Sequence, residues 1–512
     1  MYKKIRKYRK EGTLIVSMIM IANFLVKILG LLREILLAQF YGTSLNTDAY
    51  IAANNIPVVL FAAIGTSIAT TFVPMYARVK EECGEKRANT FAVHMIEGLI
   101  AICAFMTLLG EILIREFVFI FVSGFEGQVL ELTVSFSRIL FPSIFSLALV
   151  NIMGAYLQQH SRFLAIVLSP VVGNGIIILS LFAANKIDNI YVLVWGTLIG
   201  SLLQIVFYIP CVLKTGILSR DNVSIFKDGH MPLLLRLVVP VFMGESVNEI
   251  NSIVDRNLVS ALDTGSVSAL NYAYKIINLV IGVFVAAVGM VAFPKISKLA
   301  AENKLNQLRK YGSNIIITII MVMVPIAMSL IIFRKEIVEL LFQRGNFNSR
   351  STLLTGNAMA FYAIGLTGMG VRDILTKLFY SVQNTKTPMI NGIICVTINI
   401  LLDVILINGI GLYGAALATG LTAILSTVLL MIKAKSLGLM ESGELYKPCL
   451  KIFIAIIIVI VFDLVGKRLA DNIFGDMFYI HIFVCGVVGF AGMVIFLIIN
   501  GLLKNLSIIN RI

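Results

Sequence analysis

The sequence predicts an all-α polytopic membrane protein of about fourteen transmembrane helices: two parallel six-helix lobes followed by two extra C-terminal helices. Three observations carry this prediction. Of its 512 residues, 58% are hydrophobic and 14% charged, where soluble domains carry about 25% charged residues. Apolar stretches of about 20 residues, the length that crosses a bilayer as a helix, recur from end to end. Short segments also repeat at a nearly constant offset. A soluble chain this apolar (mean hydropathy +0.93) could not cover its own surface, and no room is left for a sizeable soluble domain.

The spans follow in order. The first, near 14–40, comes after the basic stretch "MYKKIRKYRKEG". A basic run before an apolar one resembles a signal peptide. However, many spans follow and no small-x-small cleavage site is evident, so it reads as a retained span. Spans 2 to 6 fall near 48–77, 91–114, 131–157, 163–184 and 190–213. Spans 7 to 12 fall near 234–260, 266–294, 312–333, 354–381, 388–408 and 411–433, and spans 13 and 14 near 448–466 and 478–503.

The loop charges support this count. Basic clusters occupy the N-terminus (Lys3, Lys4, Arg6, Lys7, Arg9, Lys10), the loop after span 2 (Arg78, Lys80, Lys86, Arg87), the loop after span 8 (Lys295, Lys298, Lys304, Arg309, Lys310) and the loop after span 12 (Lys433, Lys435, Lys447, Lys451). The loops after spans 1, 7 and 11 hold no Lys or Arg; the loop after span 9, with Arg334, Lys335, Arg344 and Arg350, is the exception. The positive-inside rule then places both termini in the cytoplasm. It also accounts for the net charge of +14 without a nucleic-acid partner. The six cysteines form no CxxC pair and mostly lie in apolar segments, as packing residues do.

"FVPMYARV" (72–79) matches "AFPKISKL" (292–299), "YLQQHSR" (156–162) matches "YSVQNTK" (380–386), and "LVWGTLIGSLLQ" (193–204) matches "AALATGLTAILS" (415–426), at offsets of 220, 224 and 222. Six spans separate the copies, an even number, so the copies point the same way, as in transporters whose halves are related by an axis along the membrane normal. The expected domains are 1–222 (helices 1–6), 223–440 (helices 7–12) and 441–512 (helices 13–14).

Intramembrane charge concentrates in the first helices of each half: Lys27, Arg33 and Glu34 in span 1, Asp48 opening span 2, Glu245, Glu249, Asp255 and Arg256 in span 7, and Lys275 in span 8. Such charges are expensive in lipid and mark polar paths. At an offset of 222, Lys27 corresponds to Glu249 and Arg33 to Asp255, so equivalent positions carry opposite signs. Lys27 and Glu34 share a helix face while Arg33 points roughly 120° away from Lys27, a spread that suits a wide polar cavity. The competing reading has Arg33 and Glu34 near the outer end, snorkelling to headgroups.

A second set is Asn399 and Asp403, one turn apart in "INILLDVIL", with Thr419 in span 12 and Asp255 in span 7. Two carboxylates, an amide and a hydroxyl are hard oxygen ligands and suit a small hard cation rather than zinc; Asp403 as a helix-end cap is the alternative. Glu97, Arg138, Arg372, Asp373 and Lys377 line a cavity or pair with one another, and Asp463 reads equally as an interfacial or a functional residue. No nucleotide-binding, metalloprotease or nucleophile-elbow pattern is present, so neither an enzyme nor an ATP-driven machine is expected.

Several stretches resemble the MurJ (MviN) lipid II flippases of the multidrug/oligosaccharidyl-lipid/polysaccharide exporter superfamily: "LGLLREILLAQFYGTSLNTDAYIAANNIP" (29–57), "TTFVPMYARVK" (70–80), "VNEINSIVDRNLVSAL" (247–262), "GSVSALNYAYKI" (265–276), "FQRGNF" (342–347) and "YSVQNTKTP" (380–388). The resemblance implies two lobes in a V and alternating access in the bacterial cytoplasmic membrane. It implies a polyprenyl-diphosphate-linked peptidoglycan precursor as substrate, helices 13 and 14 forming a groove for its lipid tail, and membrane lipids and cell-wall synthesis proteins as partners. The family's cavity cations fall on Arg33 and Lys275, with Lys27 at another often-basic position, its "TDA" acid on Asp48, and its sodium pattern on Asp255, Asn399, Asp403 and Thr419. Glu249 joins the expected substrate-binding residues. Sodium is the only bound cofactor expected. Phe61 stands where many members carry arginine in span 2, Lys275 where many carry arginine in span 8, and Asn278 replaces a nearby acid. Three other functions remain open at this point: flipping of another polyprenyl-linked glycan such as a capsule or O-antigen unit, cation-coupled drug export, and a non-transporting scaffold role.

Overall fold

The computed structural model describes residues 2–221, 230–440, 446–474 and 478–499. The fold is 88% helical, with no strand among the described residues. The first repeat comprises α1 (Tyr2–Tyr41), α2 (Leu45–Cys83), α3 (Glu85–Ile112), α4 (Ile114–Phe121), α5 (Gly127–Leu140), α6 (Ile144–Gln159), α7 (Phe163–Ile187) and α8 (Tyr191–Leu213). The second comprises α9 (His230–Ser260), α10 (Ser266–Val280), α11 (Ala286–Ala301), α12 (Leu305–Ile332), α13 (Arg334–Phe342), α14 (Ser349–Ile364), α15 (Leu366–Ser381), α16 (Lys386–Ile410) and α17 (Leu412–Ser436). Two helices outside the repeat follow, α18 (Tyr446–Phe474) and α19 (Phe478–Ile499).

Among the described residues, nine helical segments are long and apolar enough to cross a membrane, and the bent pair α14–α15 makes a tenth. The four other long helices, α1, α9, α18 and α19, of 40, 31, 29 and 22 residues, complete the predicted fourteen. The repeat extends to small features: α4 starts at Ile114 and α13 at Arg334, the 220-residue offset of the sequence.

Three spans are interrupted, each for a local reason. Between α5 and α6 lies a 3-10 turn, Phe141–Ser143, where Pro142 has no N–H to donate to the helix. Between α10 and α11 the backbone widens into a π-helical turn at Ile281–Val285. The α14–α15 pair bends by 46° at Gly365, where a β-carbon would overlap the backbone of Gly420 in α17. Small residues at such crossings let helix backbones approach closely.

Periodicity did not reveal α4 and α13, because helices of 8 and 9 residues are too short to register as spans. The cations after span 9, which break the charge rule, sit on or beside α13 and are matched there. Lys335 pairs with Glu339 at 3.5 Å, and Arg334 donates from Nε to Asn357 at 2.9 Å.

The chain forms two compact units, Met1–Val267 and Ser268–Ile512. α9, the first helix of the second repeat, packs on α2 and α4. The packing boundary therefore lies one helix beyond the repeat boundary near 222.

Candidate functional site

In the first unit Arg33 and Glu34 of α1 are met by protein. Arg33 Nη2 contacts Glu34 Oε1 at 2.6 Å, and Nη1 donates to Asn174 Oδ1 of α7 at 3.2 Å. The Asn174 amide nitrogen donates to the Pro170 carbonyl at 2.9 Å, which turns the amide oxygen toward the guanidinium. The Glu34 side chain is 6% exposed and that of Arg33 28%. A charge-assisted pair of this kind is about twice as strong as a neutral hydrogen bond. Beside it, the Tyr50 hydroxyl lies 2.9 Å from that of Thr197 in α8. Lys27, almost two turns earlier on α1, is half-buried.

Asp48 is buried in the first turn of α2, and its Oδ2 accepts the Gly265 N–H at 2.6 Å. Gly265 has φ +94°, and a β-carbon there would lie 2.8 Å from the Thr43 carbonyl. Both features require glycine. The carboxylate thus fastens the α9–α10 connection onto the α1–α2 turn. Asp48, Glu126, Ser260, Asp263 and Thr264 line a cavity of about 210 Å³ at that end.

On α9, Glu249 and Asp255 are half-buried, and Asn251 donates to Asp255 Oδ2 at 3.4 Å. The Glu245 side chain lies outside the described residues. Lys275, on α10 in the second unit, is half-buried. Phe61 is buried in α2, so the position at which the resemblance implies an arginine is packed as core here.

In the second unit, α16 buries a stripe of five residues spaced four apart, Asn391, Cys395, Asn399, Asp403 and Ile407. Asn391 donates to Ser426 of α17 at 2.6 Å, and Asn399 donates to Thr422 of α17 at 3.4 Å. The buried Asn399 Oδ1 accepts no hydrogen bond among the described residues. Asp403 is fully buried one turn away, which sets aside its reading as a helix-end cap at the surface. Thr419 is half-buried and donates to Ala415 O at 3.0 Å; Asp255 belongs to the first unit. The hydroxyl beside Asn399 is therefore that of Thr422, which the sequence reading missed, although it lies one helical turn after Thr419. These hard oxygens fit sodium rather than a soft metal. Among the described residues no three His, Cys, Asp or Glu side chains gather as a metal site.

Of the weaker sequence signals, Lys377 pairs with Asp373 at 2.7 Å, and Arg220 pairs with Glu97 at 3.3 Å on the surface.

Comparison with known proteins adds the following. Residues 37–485 match the family model described as "Lipid II flippase MurJ". A lipid II flippase MurJ from Burkholderia cenocepacia is 28% identical over 438 residues, 83% of each chain. A probable lipid II flippase MurJ from Rhizobium tropici is 27% identical over 417 residues, 79% of this chain and 78% of that one. A solved lipid II flippase MurJ in its inward closed conformation superposes with TM-score 0.79 at 28% identity, covering 94% of this chain and 99% of that one. An inward-facing multidrug resistance MATE transporter of the MOP superfamily, at 13% identity and TM-score 0.70, covers 82% of this chain and 98% of that one and shares the fold.

The Asp48 geometry gives a test. Asp48→Ala leaves the Gly265 amide without its acceptor and should cost about 1–3 kcal/mol, read as a lower melting temperature of the purified protein. Asp48→Asn keeps an acceptor oxygen and should lose less. Equal melting of the parent and Asp48→Ala would contradict the anchoring role.

Proposed function

The chain belongs to the lipid II flippase MurJ family, and on that premise we propose that it carries lipid II, the undecaprenyl-diphosphate-linked peptidoglycan precursor, from the inner to the outer leaflet of the bacterial cytoplasmic membrane. It is a transporter and not an enzyme. The observation that carries this reading is the family match over residues 37–485. The twin repeat and the intramembrane cations agree with it.

Lys27 and Arg33 in the first unit, and Lys275 in the second, are each assigned to the diphosphate. Arg33 is held in advance by Glu34 and Asn174, so little rotamer freedom remains to be lost on binding. Its guanidinium still offers N–H groups for a phosphate oxygen, while the two lysines act as point charges. Asp48 and Glu249 shape the acidic margin of this path. Substrate can shift the balance between the inward and outward states only by binding them with different affinity. The basic N-terminus and the basic loops after spans 2, 8 and 12 orient both termini toward the cytoplasm.

Sodium, when bound, supplies a positive charge to the buried oxygens of Asn399 and Asp403, with Thr419 or its neighbour Thr422 as a further oxygen donor in the same unit. A carboxylate buried in the bilayer gains most from such a counter-charge.

Two outcomes test these assignments. In a bacterium depleted of its lipid II flippase, Arg33→Ala and Lys275→Ala should each abolish rescue while reaching the membrane at parental levels; full rescue by both would remove the diphosphate assignment. Sodium at ten times its Kd should stabilise the purified parent by about 1.4 kcal/mol relative to potassium, and Asp403→Asn should lose that gain. Equal melting of the parent in both salts would remove the ion site and leave the flippase reading standing.

A further inference from the structure

Asp463 lies near the middle of α18 and is fully buried. Neither carboxyl oxygen has a hydrogen-bond partner among the described residues. Gly492 of α19 lies directly against the carboxyl, so a β-carbon there would take its place. One turn later on α18, Gly466 similarly receives Val488 of α19. On one side of this seam lie Ala455, Val459, Met321 and Met328, packed by Ile460 and Ile495. On the other lie Phe333, Ala470 and Cys485, packed by Val488.

Lys467, one turn after Asp463, directs its ammonium to Glu336 of α13 at 2.8 Å and to the Ile332 carbonyl at 3.0 Å. Asp471 lies two turns after Asp463 on α18, and Glu339 lies beside Glu336 on α13. On α19, Cys485 lies two turns before Gly492, and His481 three turns before it in sequence. Facing from α12, residues 315–332 contain no titratable side chain. An ionised carboxylate in such a seam would be a buried charge with neither a counter-charge nor a donor, whereas the neutral acid pays only for a weakly satisfied polar group.

We propose that Asp463 is a proton-binding site built into the α18–α19 seam. The closed seam holds the carboxyl as the neutral acid, and the acid releases its proton to water only when the two helices part. The site couples proton uptake to closure of the pair outside the repeat. The inference goes beyond lipid II transport and does not depend on it.

The test uses the full-length purified protein in lipid nanodiscs. Infrared spectroscopy at neutral pH should show a protonated-carboxyl C=O band that Asp463→Asn removes and Asp463→Glu shifts. Thermal unfolding provides the second measurement. A carboxyl held neutral in the closed seam and free to ionise in the unfolded chain makes stability fall as pH rises. Over about pH 5 to about pH 9, the parent should lose melting temperature more steeply than Asp463→Asn. Should Asp463→Asn fail to fold, the infrared band of the parent and its shift in Asp463→Glu decide alone. Identical acid bands in all proteins, or identical pH slopes for the parent and Asp463→Asn, would overturn the proposal.

Discussion

A charge that enters the bilayer must be met by protein, and much of this architecture follows from where those meetings occur. Arg33 is met by Glu34 and Asn174, which ties α1 to α7. Lys467 is met by Glu336 and the Ile332 carbonyl, which ties α18 to the α12–α13 corner. Asp48 is met by the Gly265 amide, which fixes two chain reversals to each other. Desolvation offsets much of the attraction in a buried pair, so such pairs add little net stability while intact. Removing one partner, however, leaves the other stranded at a cost of about 3–5 kcal/mol. The pairs therefore specify which helices must stay together more than they stabilise the bundle.

Close backbone approach is the complementary constraint. Lipid tails are as apolar as leucine, so helices associate through packing and polar contacts rather than through a hydrophobic drive. Gly365 against Gly420 and Gly492 against Asp463 are such contacts. The first coincides with the 46° bend of α14–α15; the second lets a carboxyl occupy a seam that would otherwise be wholly apolar. The π-helical turn at Ile281–Val285 interrupts the span that carries Lys275. Such turns occur often at functional sites. A cation borne on a broken helix can shift with one half while the other stays packed.

Much of this was legible in the sequence. The order and number of long helices followed from apolar length, and the duplication followed from three short matches. The structure carries the duplication down to its short helices. What escaped had physical reasons. α4 and α13 are shorter than the window that hydropathy needs. Arg33 and Glu34 were expected to diverge, since adjacent residues on a helix do not face each other, yet the long arginine side chain reaches around to its neighbour. Asn174 and Thr422 are neutral polar residues whose value depends on a partner from another helix, and one sequence does not show such pairings. Asp463 was visible as a charge in an apolar run; its burial against a glycine was not.

The central claim is that this chain moves a lipid-linked diphosphate across the bilayer by means of its intramembrane cations. The most direct measurement reconstitutes the purified protein into vesicles with labelled lipid II confined to one leaflet and follows its appearance in the other. The account predicts transfer well above that of protein-free vesicles, and transfer reduced to that background by Lys275→Ala in a protein that remains folded and inserted. Lipid II confined to its original leaflet in the presence of folded, inserted parent protein would contradict it.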